Sequence, residues 1–173
     1  MRLGIFGGSF DPVHQGHLLL AEACREAAAL DEVWFVPAAV PPHKQQQARA
    51  PDQQRVEMLQ LAIGGHEQFH VATMELERGG VSYTVETLRE LHAARPDDEL
   101  FLLIGADSLH DLPTWKEPAE VCTLALPLVV SRAGHVEPAW DVLQPLLSAA
   151  RVHEIRRHEV RMPPIGLSSH EIR

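Results

Sequence analysis

Short apolar runs alternate along this chain with stretches whose apolar positions recur at helical spacing. Leu3-Gly4-Ile5-Phe6 predicts a short buried strand, and residues 18–30, rich in Ala, Leu and Glu, predict a helix. Glu32-Val33-Trp34-Phe35-Val36 predicts a second strand, stopped at Pro37. A polar loop follows through Pro41-Pro42-His43-Lys44 and Gln45-Gln46-Gln47. Residues 51–63 then predict a helix, with Val56, Met58, Leu59, Leu61, Ala62 and Ile63 as its apolar face. Residues 69–73 read as a strand. Residues 81–94 read as a helix, with Ser82 and Thr84 as cap candidates and an end before Pro96. Leu100-Phe101-Leu102-Leu103-Ile104 is an unbroken apolar run, the pattern of a strand covered on both faces. Residues 124–130 predict another strand, in which Pro127 marks a bulge or an edge. Residues 140–150 are weakly helical, and 152–155 read as a short strand.

Strands separated by helices imply βαβ units, a parallel sheet and right-handed crossovers. The expected architecture is therefore α/β: a doubly wound, Rossmann-like parallel sheet flanked by helices, forming a single domain over residues 1–173. No repeat or linker interrupts it. In such sheets ligands bind beyond the carboxyl ends of the strands. The first strand ends at Gly7-Gly8, which directs attention to that edge.

Charge narrows the partners. The formal net charge is -9, which disfavours a nucleic-acid polymer as ligand. An anionic small molecule would be repelled by the bulk field, so local cations and backbone amides would have to hold it. No apolar run approaches the ~20 residues of a membrane-spanning helix, and no membrane association is expected. The N-terminus lacks a signal-peptide pattern. Cys24 and Cys122 both lie in apolar stretches and read as buried, reduced thiols of a cytoplasmic protein.

The residues that suggest chemistry follow the first strand. Gly7 and Gly8 would let backbone amides approach a ligand closely. No Gly-Lys-Ser/Thr follows, so the segment is not a Walker loop, and it is not the GxGxxG fingerprint. His14-Gln15-Gly16-His17 then opens the first helix. Two histidines three apart share one face, and the helix dipole adds partial positive charge there. That makes an anion clamp, with Gly16 leaving room for a base or sugar. A metal reading would need a further ligand such as Asp11. Near the other end, Ser168 and Glu171 have capping-box spacing, so a second helix N-terminus is expected, with Ser169 and Arg173 beside it. Lys44 is a phosphate ligand or a solvated lysine. Trp115 is a stacking ring or a half-buried core aromatic. Asp107 is a ribose ligand or a helix cap, with Ser108 as its rival for the cap. The amides at Ser82-Tyr83-Thr84 could receive a carboxylate. His66, His92 and His135 read as solvated.

Gly7-Gly8-Ser9-Phe10-Asp11-Pro12 with His14-Gln15-Gly16-His17 resembles the first motif of the HxGH nucleotidyltransferase superfamily. The closer resemblance is to the bacterial nicotinate-mononucleotide adenylyltransferases. It extends to Pro41-Pro42-His43-Lys44, Ser82 through Leu88, Gly105-Ala106-Asp107-Ser108, Trp115, and Leu167 through Arg173. The resemblance implies ATP and nicotinate mononucleotide as substrates, and Mg²⁺ carried by ATP with no dedicated protein cage. It implies His14, His17, Lys44 and Arg173 as catalytic residues. Gly7, Gly8, Ser9, Phe10, Gly16, Ser168 and Ser169 would bind ATP, and His43, Thr84, Asp107 and Trp115 the nicotinate nucleotide. His170 stands where the family has threonine. The family also continues past Arg173 into a helical tail, part of which is expected to be absent here. Self-association as a homo-oligomer is left open. The rivals are another adenylyl- or cytidylyltransferase of the superfamily, which the Pro-Pro-His-Lys segment and Trp115 oppose, and a nucleotide-binding module of low activity.

Overall fold

The computed structural model describes residues 1–164 and 169–172. In chain order the elements are β1 (Arg2–Gly8), α1 (Gln15–Ala27), β2 (Glu32–Pro37), a 3-10 turn (Pro42–Lys44), α2 (Asp52–Ala62), β3 (Phe69–Val71), α3 (Met74–Arg78), α4 (Thr84–Ala94) and β4 (Glu99–Gly105). They continue with α5 (Ala106–Asp111), α6 (Pro118–Leu124), β5 (Leu126–Arg132), α7 (Ala149–Arg157), β6 (Val160–Met162) and α8 (Ser169–Ile172), with 3-10 turns at Leu112–Thr114 and Trp140–Leu143.

The strands form one sheet in the order β3-β2-β1-β4-β5-β6. Every pairing is parallel. This is the doubly wound arrangement expected from the alternating pattern. Successive residues of a strand point to opposite faces, and Leu100 through Ile104 are all buried. Both faces of β4 are therefore covered. Leu3, Ile5, Phe35, Phe101, Leu103 and Leu128 anchor the core at 2 % exposure or less. Each such side chain contributes about 1.5–3 kcal/mol by leaving water.

Three local readings change. Residues 152–155 are not a strand but part of α7. Ser148 caps that helix by accepting the Arg151 N–H at 3.2 Å, and the Arg151 guanidinium donates to the Cys122 carbonyl at 2.6 and 3.0 Å. The last strand lies further on, where buried Val160 and Met162 alternate with exposed Arg161. The segment 140–150 is a 3-10 turn followed by the first residues of α7. On α2, Leu61 is 82 % exposed, and the buried line is Arg55, Leu59 and Ile63. A polar residue thus occupies one turn of the face that the apolar count assigned to Leu61. Pro127 sits in unbroken register with Leu102 of β4, while β6 pairs only with Val130, Ser131 and Arg132. It lies at a local edge rather than a bulge, on the part of β5 that β6 does not cover.

The order of strands places the switch point between β1 and β4. Connections leave these neighbours in opposite directions and open a crevice above their carboxyl ends. The loop from Gly8 to His14 and the start of α5 at Ala106 and Asp107 flank that crevice.

Candidate active site

At the end of β1 the chain turns sharply. Phe10 has φ 45°, in the left-handed region, and its ring folds back beneath Gly8. A Cβ at Gly8 would stand 3.1 Å from that ring, so any larger residue there would crowd it. Phe10 is 2 % exposed. It packs edge-on to Phe6 at 5.4 Å and to His17 at 5.1 Å. Its ring is thus a floor under the site, and what it can offer a nucleotide is its backbone.

His14 is the N-cap of α1, whose first turn carries no acidic residue. The His14 N–H donates to Nδ1 of His17 at 3.1 Å, and the two rings lie 3.8 Å apart. In the neutral His17 ring the proton therefore sits on Nε2, which becomes a fixed donor. Burial, then the neighbouring His14, then Arg132 lower the His17 pKa to about 3. Burial, then Arg132, lower that of His14. What the pair can present to an anion is therefore N–H donors and the helix dipole, not two cations. Among the described residues, Nδ1 of His14 is buried with no hydrogen-bond partner.

His17 lines a cavity of about 210 Å³ with Gly8, Ser9, Phe10, Asp11, Lys44, Gln47 and Arg49. That volume suits phosphate groups better than a whole nucleotide, for which pockets of about 300–1,000 Å³ are usual. Lys44 reaches it from the 3-10 turn that the two prolines start. Arg49 donates to the carbonyls of Lys44 and Gln47 at 3.1 and 3.2 Å and so draws this loop over the cavity. His43, on the same turn, is exposed and outside the cavity lining. Gly7 is exposed, with open space where a Cβ would stand, and Gly16 is buried.

A second cluster forms around the start of α4. Thr84 is its first residue. Lys116 binds Glu86 at 2.7 Å and lies 4.6 Å from the centre of the Tyr83 ring. This fastens the segment carrying Trp115 beside Tyr83 and Thr84. Trp115 is half-buried, packed against the core. Asp107 is exposed in the first turn of α5, and a Cβ at Gly105 would meet its Oδ1 at 2.6 Å. Ser169 opens α8; Ser168 and Arg173 lie outside the described residues. Among the described residues no three His, Cys, Asp or Glu side chains form a set that could hold a metal ion, so Asp11, His14 and His17 are not such a set. Asp11 instead accepts the Ala50 N–H at 3.3 Å.

The sequence reading passed over Arg49, Gln47 and Arg132. Arg132 ends β5, and its charge is felt by both histidines. Applying the strand-end rule to β5 as it was applied to β1 would have found it. A larger cavity of about 500 Å³ lies between β2, β3 and α4, lined by Trp34, Glu32, His70 and Arg95 among others. None of the motif residues borders it.

A family model described as cytidylyltransferase-like matches residues 5–173. A protein of Geobacillus thermodenitrificans, named "probable nicotinate-nucleotide adenylyltransferase", is 40% identical over 173 residues, covering 99% of this chain and 73% of that protein. One of the same name from Thermus thermophilus is 44% identical, covering 100% of this chain and 85% of its own length. Among solved structures, the Plasmodium falciparum nicotinic acid mononucleotide adenylyltransferase complexed with NaAD matches with a TM-score of 0.72 at 15% identity, over 98% of this chain and 81% of that one. That likeness is one of fold. The chain belongs to the cytidylyltransferase-like family, in the branch of the nicotinate-nucleotide adenylyltransferases.

Proposed function

We propose that this protein transfers the adenylyl group of ATP to nicotinate mononucleotide, releasing pyrophosphate and forming nicotinate adenine dinucleotide. The observation that carries the residue assignment is the orientation of His17. Its Nδ1 is tied to the backbone, and its ring borders a small cavity that also receives Lys44, Arg49 and the glycine turn. A neutral, aimed N–H donor at a helix N-terminus suits a phosphate oxygen that gains charge during transfer.

In the reaction a phosphate oxygen of the mononucleotide attacks the α-phosphorus of ATP. The bond from that phosphorus to the bridging oxygen breaks, and pyrophosphate leaves with the electron pair. A phosphate monoester loses its second proton near pH ~6, so the nucleophile is already largely a dianion at neutral pH and needs no general base. The protein's task is alignment and dispersal of charge. His14 and His17 serve the phosphates at the reacting centre, with Arg132 adding positive potential beside them. Lys44 and Arg49 hold the triphosphate, joined by Ser168, Ser169 and Arg173 from the C-terminal motif. Gly7, Gly8, Ser9, Phe10 and Gly16 supply backbone surface to ATP. Mg²⁺ enters with ATP as part of the substrate, its shell completed by water. Tyr83, Thr84 and Trp115 receive the nicotinate ring and its carboxylate, His43 the rim of that site, and Asp107 a ribose hydroxyl.

A pyrophosphate-release assay with ATP and nicotinate mononucleotide, with the amide mononucleotide as control, tests the reading. Rapid release with the acid form is expected. No release above background with the acid form would overturn it.

A further inference from the structure

Two charged side chains are buried away from the reacting groups, and both lead to one peptide bond. Arg55, on α2, is 0 % exposed. Its Nη2 donates to the Ala38 carbonyl at 2.8 Å and its Nη1 to the Ser9 carbonyl at 2.7 Å. The same Nη2 meets Asp52 at 2.5 Å. The N–H of that Ala38–Ala39 peptide unit, belonging to Ala39, donates to Ser82 Oγ at 2.9 Å. Ser82 in turn stands beside Glu75 and favours its charged form, and Glu75 accepts from Thr87 at 2.6 Å. Ser82, Glu75 and Thr87 are 6, 6 and 1 % exposed. The carbonyl and the N–H of a single peptide are thus gripped from opposite sides. The Ala38 N–H donates to Gly8 at 2.9 Å, and the Ser82 N–H to Val40 at 2.8 Å.

This peptide stands between the two halves of the site. On one side Arg55 also holds Ser9, which lines the phosphate cavity. On the other, Ser82 immediately precedes Tyr83 and Thr84 at the start of α4. The Lys44 turn follows directly in sequence. Stability alone does not call for these groups, since a well-packed apolar replacement of a buried charge is often neutral or stabilising. Burial also raises the Glu75 carboxyl above its ordinary range, outweighing the opposing pull of its hydrogen bonds.

We propose that Arg55, and Glu75 acting through Ser82, are positioning residues: they hold the Ala38–Ala39 peptide as a strut that sets the spacing between the ATP phosphates and the nicotinate nucleotide. This rests on the adenylyltransferase reading above. Neither residue lines the cavity beside His17. The loss on breaking the strut falls on alignment, where a misplacement of about 1 Å can cost about 10²-fold in rate.

The test measures kcat and both KM values for Arg55→Met, Arg55→Lys, Ser82→Ala and Glu75→Gln, with folding checked by circular dichroism at the assay temperature. Arg55→Met should lose about 100-fold in kcat while each KM changes less than about threefold, and Arg55→Lys should recover about tenfold by satisfying one of the two carbonyls. Ser82→Ala should lose about tenfold, and Glu75→Gln, which can still accept from Thr87, should lose less. Because both act on one peptide, the losses of Arg55→Met and Ser82→Ala should fail to multiply in the double variant. If Arg55→Met does not fold, Ser82→Ala and Glu75→Gln carry the test. Folded variants with wild-type kcat, or losses confined to KM, would overturn the strut. An inactive wild-type enzyme would instead overturn the reading of function.

Discussion

His17 shows how much one side chain's surroundings decide. At helical spacing from His14 it reads as half of an anion clamp built on hydrogen-bond donors and the helix dipole, and its surroundings keep the ring neutral. The His14 N–H occupies Nδ1, Phe10 closes beneath the ring, and His14 and Arg132 oppose a second charge. What remains is a directed donor. Removing one such donor costs about 10²–10³-fold in turnover where it faces developing charge. His17→Ala should therefore lose at least two orders of magnitude in kcat with an unchanged circular-dichroism spectrum; wild-type steady-state turnover would remove the role. In the proposed site Trp115 would work differently, through contact area. Stacking on an aromatic ring is worth about 1–3 kcal/mol per base by alanine substitution, and a pyridine ring is a comparable partner. Trp115→Ala should raise KM for nicotinate mononucleotide about tenfold or more and leave KM for ATP nearly unchanged, as initial rates at varied concentrations would reveal.

At the scale of an element, α2 separates pattern from packing. Six apolar residues suggested a face, and the sheet takes only part of it. Leu59 is 0 % and Leu61 82 % exposed. Leu59→Ala should destabilise the fold by about 2–5 kcal/mol, while Leu61→Ala should stay within about 0.5 kcal/mol. Urea melts of the two variants check this, and equal midpoints would refute the assigned face. The reason the pattern misled is Arg55. Its carbonyl acceptors, Ser9 and Ala38, lie far off in sequence, so nothing near residue 55 marks it as an inward-facing cation. The last strand was misplaced for a related reason. Val152 and Ile155 are as compatible with a strand as with a helix in a short window, and the cap at Ser148 decided the matter.

For the molecule as a whole, proton linkage follows from His17. An unfolded histidine binds its proton near pH 6.5, the ordinary value, whereas the folded His17 does so only at about 3. Between those values the unfolded chain carries the extra proton, so stability rises with pH across that window and is complete above it. Urea titrations from pH 4 to pH 8 should show that slope, and His17→Gln should flatten it. An equal slope in the variant would place the linkage elsewhere. The expected sheet, its parallel sense and the glycine-histidine edge were all legible in the order of residues. Period, turn residues and strand-helix alternation are properties of near neighbours, and the opening motif is a contiguous string. Tertiary structure alone decided the rest. Only the folded sheet brings Arg49 and Arg132 to the histidines, turns Phe10 into a floor, and runs Arg55 and Glu75 to one peptide. Those arrangements depend on contacts between separate elements of the fold, and on how much water the packed chain excludes from them.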